Sequence, residues 1–240
     1  MKNHRLYFIS DLHLSPNTPH ITQLFEKFLS TLAPTATGIY IIGDFLNVWL
    51  GDDLTTPYHE HIAQMLQALT KQGIPCFFMP GNRDFLLGKA FAKRCAMTQL
   101  PDPCLIETPT GSILLSHGDG LCSKDKAHLV FRAISQHPLS KKLFLSLPAT
   151  WRKKIGGDIR KHSRQHAPHR NVSINSRWAK KWLEKHKCQA LIHGHIHQQG
   201  KHEEVIDAYA FTRYVTSSWE ETAWIIEYNP QDGLNLVHFS

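Results

Sequence analysis

The chain has 240 residues, 42% of them apolar, and carries 27 Lys and Arg against 20 Asp and Glu for a formal charge of +7. That length suits one large domain or two small ones with a buried core, and the apolar share excludes a wholly disordered chain. Its 5 cysteines are odd in number and nowhere spaced CxxC, which excludes a disulfide framework and a zinc knuckle and fits a reducing cytosol.

The chain opens MKNHRLYFIS and runs directly into Asp11, without the apolar stretch and cleavage site of a signal peptide. Leu6 to Ser10 is the first expected strand, and it ends at that acid. A helix follows, with Ile21, Leu24, Phe25, Phe28, Leu29 and Leu32 at helical spacing. The longest stretch free of charged residues, Phe28 to Gly43, is broken by Pro34 and Gly38 and is too short to cross a bilayer. Ile39 to Ile42 forms a second strand that stops at Gly43 and Asp44. Ile62, Met65, Leu66 and Leu69 mark a second helix, and Pro75 to Met79 a third strand that stops before Gly81 and Asn82. A fourth strand, Ile113 to Ser116, runs into His117-Gly118-Asp119, and a fifth, Ala190 to Ile192, into His193-Gly194-His195. Alternating strands and helices predict an α/β architecture. From about Glu204 to Phe239, short strands with turns at Ser217-Ser218 and Asn229-Pro230 are expected to finish a second sheet. No repeat, low-complexity tract or linker is visible, so residues 1–240 read as a single domain.

Between Lys141 and Lys187 stand 14 Lys and Arg against Asp158 and Glu184 alone, leaving 13 basic and 18 acidic residues elsewhere. This segment interrupts the α/β pattern between the fourth and fifth strands and is expected to be an insertion on the same domain. A field of that sign attracts phosphates, anionic lipid headgroups or nucleic acid, although a solvated helix surface has the same composition. Leu143, Phe144, Leu145, Leu147 and Trp151 lie amid Lys141, Lys142, Arg152, Lys153 and Lys154, an apolar stripe flanked by cations.

Five strands thus end in polar turns: Asp11-Leu12-His13, Gly43-Asp44, Gly81-Asn82-Arg83-Asp84, His117-Gly118-Asp119 and Gly194-His195-Ile196-His197. In α/β sheets chemistry collects beyond the carboxyl ends of strands, so the five turns are expected to meet in one crevice. Asp, Asn and His form a mixed oxygen and nitrogen donor set suited to Mn, Fe or Zn. Glycine beside the donors lets the backbone turn sharply and come close to a metal. Asp84 is expected either to orient a ligand histidine or to cap its turn, and Asp119 carries the same ambiguity. His193 belongs to the strand end and is expected to be structural. Trp49 reads equally as pocket lining and as core.

The order D-x-H, G-D, G-N-[H/R]-D, H-G, G-H-x-H, spanning Asp11 to His197, resembles that of the calcineurin-like metallophosphoesterases. The resemblance implies a sandwich of two mixed β-sheets flanked by helices. It also implies two metal ions, one held by Asp11, His13, Asp44 and His197 and the other by Asp44, Asn82, His117 and His195, with Asp44 bridging. Such a pair neutralises phosphoryl oxygens and activates water, so no Ser or Cys nucleophile is needed. Where many members of the wider family have GNHD, this chain has Arg83, which cannot donate a proton but can grip two phosphoryl oxygens. That favours a leaving group that departs as a stabilised anion, such as one half of a pyrophosphate.

The longer strings ISDLHL, GDFLNVWLGDD, GNRDFLLGK and SHGDGLC are similar to those of one branch, the UDP-2,3-diacylglucosamine pyrophosphohydrolases of lipid A synthesis. This resemblance implies hydrolysis of UDP-2,3-diacylglucosamine to UMP and 2,3-diacylglucosamine 1-phosphate, with two Mn2+ per chain and attack on the uridine-side phosphorus. It further implies a cytoplasmic enzyme, peripheral on the cytoplasmic face of the inner membrane and facing its anionic surface, with a helical cap over about 125–187. No nucleic acid and no obligate protein partner are expected. Asp44 and Arg83 are the expected catalytic residues. Substrate contacts are implied for Asn82, Arg83, Asp125, Ser163, Ala167, Arg170 and His195; Ala167 stands where an amide is frequent and Arg170 where Lys is. GHIHQQ, Gly194 to Gln199, departs from the more frequent GHTHRP but keeps both histidines. Two other functions are compatible with the motifs: a nucleotide or cyclic-nucleotide phosphodiesterase on the same metal site, and a nucleic-acid-binding protein with a structural metal.

Overall fold

Strand side chains point alternately to the two faces of a sheet, and both faces are covered here, so the central strands are apolar at nearly every position. In Leu6–Ile9 (β1), Leu6 and Phe8 face one apolar layer while Tyr7 and Ile9 face another, and all four are buried. The computed structural model describes residues 4–166 and 173–240. The elements after β1 are Pro19–Thr31 (α1), Gly38–Ile42 (β2), Pro57–Lys71 (α2), Cys76–Met79 (β3), Lys89–Arg94 (α3), Met97–Gln99 (β4), Cys104–Thr108 (β5) and Gly111–Leu115 (β6). Lys126–Ser135 (α4), Pro138–Leu145 (α5), Ala149–His166 (α6) and Ser176–His186 (α7) follow, and then Ala190–His193 (β7), Gly200–Ile206 (β8), Tyr209–Val215 (β9), Ala223–Asn229 (β10) and Gly233–Phe239 (β11).

The strands form two mixed sheets, one of order β11-β10-β1-β2-β3-β4 and one of order β5-β6-β7-β9-β8. In the first, β1 to β4 run parallel and β10 pairs antiparallel with both β1 and β11; in the second, β6, β7 and β9 run parallel, with β5 and β8 antiparallel at the edges. Phe8, Ile42 and Met79 of the first sheet meet Ile113, Leu115 and Ile192 of the second in a central apolar layer. The outer face of the first sheet packs on α1 to α3 through Phe25, Phe28, Ile62, Leu66 and Phe91. Ala179 and Leu183 of α7 cover Leu114, Leu191 and Phe211 on the outer face of the second. The result is the expected α/β sandwich of two mixed sheets flanked by helices.

The tail departs from the sequence reading. Only β8 and β9 complete the second sheet; β10 and β11 cross back and extend the first beside β1. The reason is burial on both faces: Ile225 enters the helix-side layer, whereas Ile226 and Tyr228 enter the central one. Three further elements were not legible. α3 and β4 are short, and β5 is an edge strand with no fully buried residue.

Helices α4 to α7 all lie between β6 and β7; α6 and α7 fall within the basic stretch, α5 overlaps its start and α4 precedes it. α6 is tied to the turn after β2 by Arg152, which is 3% exposed. Its guanidinium donates to the carbonyl of Leu50, to that of Leu147 and to both carboxylate oxygens of Asp53. Arg152 therefore does not flank the apolar stripe as a surface cation. Phe144 packs on the helix-side core, whereas Leu143, Leu145 and Trp151 stay exposed. Trp49 is core: it is buried against Phe91 and His59, and its indole N–H donates to Asp52.

Candidate metal centre

The parallel ladder continues past the ends of β1 and β2, where Asp11 N donates to Gly43 O at 3.1 Å and His13 N to Asp44 O at 2.9 Å. This brings the first two polar turns side by side. Asp11, His13, Asp44, His195 and His197 have φ of 55°, 49°, 52°, 66° and 53°, a left-handed conformation that costs any residue but glycine. Strain of this kind persists only where the surroundings enforce it, and here it is concentrated in the turns singled out by sequence. Glycine is required beside them: a Cβ on Gly81 would overlap Asp44, and one on Gly194 would overlap Asp11 and Ser10.

Two clusters of donors result. Asp11, His13 and His197 form one and Asp11, Asp44 and His117 the other, the donor atoms of each lying within 4.8 Å of one another. Asp44 stands between two histidines, one oxygen 3.7 Å from His117 Nε2 and the other 3.8 Å from His13 Nδ1. His197 Nε2 is 3.3 Å from Asp11 Oδ1. Asn82 Oδ1 lies 3.0 Å from His117 Nε2, which places the amide on the second cluster. His195 falls outside both clusters by this measure, but its ring is 5.1 Å from that of His117 and its backbone N–H donates to Asp11 Oδ2 at 2.9 Å.

The electrostatics call for more positive charge than the protein supplies. Burial disfavours a cation at His117, yet Asp44, Asp11, Asp119 and Asp102 around it raise its pKa to about 9. Burial pushes Asp44 up to about 7 despite the opposing pull of His117, with Asp84 and Asp11 repelling its charge. Burial, and then the charge of Arg83, holds His13 at about 3, and burial with the charge of His117 does the same for His195. Those rings are neutral and present lone pairs. Asp11 Oδ1 and both ring nitrogens of His13 are buried without a hydrogen-bond partner. Neutral imidazoles, buried carboxylates and orphaned donor atoms in one crevice fit a pair of divalent ions.

Arg83 is positioned by the same turns. Its backbone N–H donates to Asp44 Oδ1 at 2.8 Å, its Nε is 3.6 Å from Asp44 Oδ2, and its Nη1 donates to Asn47 Oδ1 at 3.2 Å. Asp125 caps α4, accepting from His128 N at 3.0 Å. Ser163 lies on α6, with its side chain outside the described ones, and Ala167 and Arg170 lie outside the described residues. Asp84 does not orient a histidine. Its two buried oxygens accept from the backbone N–H groups of Gly81 (2.7 Å), Phe45 (2.7 Å) and Leu46 (3.2 Å), locking the second and third turns together. Asp119 accepts from Arg132 Nε at 2.9 Å and faces His128 at 3.5 Å.

Several supporting residues escaped the sequence reading. Ser10 donates to Asp11 and meets Thr216 at 2.5 Å, and Trp219 N donates to Asp11 O at 3.3 Å from inside the aromatic core. Thr216 and Trp219 are over 200 residues from Asp11, and no local spacing announces them. His128, stacked on His195 with ring centroids 5.6 Å apart, had no motif either.

Residues 4–199 match the family model described as calcineurin-like phosphoesterase. The chain is 40% identical over 232 residues to a UDP-2,3-diacylglucosamine hydrolase of Actinobacillus succinogenes, covering 95% of this chain and 97% of that one. It is 38% identical to the protein of that name from Aeromonas hydrophila, over 93% and 94% of the two chains, and 37% identical to that of Escherichia coli O81, over 97% and 98%. With all five polar turns inside the matched region and near-complete alignment to these relatives, the chain belongs to the calcineurin-like phosphoesterases, in the family of the UDP-2,3-diacylglucosamine hydrolases.

Proposed function

We propose that this chain hydrolyses the pyrophosphate of UDP-2,3-diacylglucosamine to UMP and 2,3-diacylglucosamine 1-phosphate, with attack at the uridine-side phosphorus. The observation that carries the reading is Asp44, buried between His13 and His117 with one oxygen toward each and with Arg83 at its rim. In this reading Asp11, His13, Asp44 and His197 would hold one Mn2+ and Asp44, Asn82, His117 and His195 the other, with Asp44 serving both. Bound there, two ions supply Lewis acidity that lowers the pKa of water and neutralises charge on phosphoryl oxygens.

The chain's own residues do the rest. Arg83, 41% exposed at its side chain, reaches solvent from an anchored backbone and presents its planar fork to the diphosphate. As a permanent cation it stabilises charge without giving a proton. None is needed, because the sugar phosphate leaves as an anion when the bridging P–O bond breaks. Asn82 sets its amide oxygen against His117 Nε2 at 3.0 Å.

The helices at 125–187 act as the cap in this proposal. Val130, Ile134, Leu139, Leu143 and Trp151 are each at least 59% exposed on α4 to α6. Such a concentration of apolar surface among lysines suits acyl chains and the anionic face of the inner membrane. Among the described residues no helix is long and apolar enough to cross a membrane.

The test is to incubate the Mn2+-loaded protein with UDP-2,3-diacylglucosamine, with bis-p-nitrophenyl phosphate and with single-stranded DNA. UMP from the lipid alone, abolished by a chelator, is the expected result. Rapid diester cleavage without UMP would instead make the chain a general phosphodiesterase, and tight DNA binding without hydrolysis would make it a nucleic-acid-binding protein.

A further inference from the structure

His193 ends β7 one residue before the turn that carries His195 and His197, and it is fully buried. Its Nε2 lies 3.1 Å from Nη1 of Arg213 on β9. Its Nδ1 lies 3.0 Å from the carbonyl oxygen of Gly194. Arg213, itself 9% exposed, is held by Glu204 on β8, whose Oε1 accepts from its Nε at 2.5 Å and also from Nη2. The three residues make an unbroken chain of hydrogen bonds from the sheet edge to the backbone of the metal-facing turn.

The chemistry of the donors fixes its direction. A guanidinium has only N–H groups, so His193 Nε2 must accept. The ring proton then resides on Nδ1 and is donated to Gly194 O. In the opposite tautomer two N–H groups would point at each other at Nε2, and two lone pairs would face each other at Gly194, both out of reach of water. Gly194 O also accepts from Ile196 N at 2.8 Å, which closes the turn. Gly194 N donates to His117 O at 3.0 Å, and His195 N donates to Asp11 Oδ2 at 2.9 Å. The two peptide units flanking the Gly194 Cα thus join the His193 ring to three of the polar turns.

We infer that Glu204, Arg213 and His193 are positioning residues: Arg213 selects the Nδ1–H tautomer of His193, and that tautomer holds the Gly194 carbonyl so that His195 and His197 face the metals. The inference rests on the reading of those two histidines as metal ligands. It does not depend on which phosphoester is cleaved.

The test uses the whole chain labelled with 15N-histidine. In the metal-free protein, long-range proton–nitrogen correlation should show His193 as one neutral tautomer protonated on Nδ1. A ring protonated on Nε2 would overturn the relay without any variant being made. Arg213→Met should mix the two tautomers and weaken Mn2+ binding, measured by calorimetry, on the order of 10–100-fold, as losing a partner that orients a ligand does. Arg213→Lys, which keeps a donor, should recover part of that loss. A folded Arg213→Met protein with the parent tautomer and affinity within about twofold of the parent contradicts the inference. Should Arg213→Met fail to fold, Glu204→Gln at the more accessible end is expected to shift the tautomer and the affinity the same way by a smaller factor, and no shift there is equally contrary. A parent that takes up no divalent ion would overturn the proposed function, while the tautomer measurement still decides the relay.

Discussion

Asp11 is common to both donor clusters, whereas Asp44 belongs to one and turns its second oxygen toward His13 of the other. Asp44 adopts φ 52°, is 2% exposed, accepts the backbone N–H of Arg83 and divides its oxygens between His13 and His117. Asp44→Ala should therefore lose both ions together, and elemental analysis of the purified variant should find fewer than one per chain. Two ions retained would refute its bridging role. Arg83 differs in being tied to the site mainly by its backbone, so Arg83→Ala should keep both ions. Its kcat should fall by the equivalent of about 2–4 kcal/mol, the scale of a lost oxyanion donor. Arg83→Lys keeps the charge but not the fork and is expected to fall between the two. A variant at the parent rate would remove Arg83 from the mechanism.

The helices between β6 and β7 are joined to the body at identifiable points. Arg152 satisfies two carbonyls and Asp53 from a buried position, and Lys141 Nζ donates to Phe85 O at 2.9 Å. Arg152→Met leaves the carbonyls of Leu50 and Leu147 without that donor and should cost about 1–3 kcal/mol. The expected sign is faster proteolysis between α5 and α6 in the native state, and an unchanged cleavage rate would show that this contact does not hold the helix down. Within α6, Gly156 packs on Leu50, but an added Cβ at Gly157 meets nothing within 4 Å. Gly157→Ala should then stabilise the helix by roughly 0.5–1 kcal/mol in denaturant titration, and a loss of stability would reveal a contact or a hinge at that point.

Across the whole molecule, what the sequence disclosed follows from where its signals are local. Buried parallel strands ending in Asp, Asn or His mark themselves, so Leu6–Ile9, Gly38–Ile42, Cys76–Met79, Gly111–Leu115 and Ala190–His193 were all legible to within a residue or two. The same locality exposed the seven candidate metal ligands, because each stands in a polar turn that closes such a strand. Pairing partners are not local. Ala223–Asn229 reads as a strand in either sheet, and only its two buried faces decide that it lies beside β1. Likewise the sequence left Asp84 open between a histidine's partner and a turn cap, and its oxygens bind the backbone of two turns; Ser10, Thr216, Arg213 and Glu204 gave no sign of their neighbours. The two sheets and their loops bring these distant groups within hydrogen-bonding range, and the proposed activity follows from that convergence. The most direct test of that activity is hydrolysis of UDP-2,3-diacylglucosamine by the Mn2+-loaded chain in 18O-labelled water, with both products read by mass spectrometry. One labelled oxygen in UMP and none in the sugar phosphate is the predicted result; label in the sugar phosphate, or no UMP at all, would contradict the account.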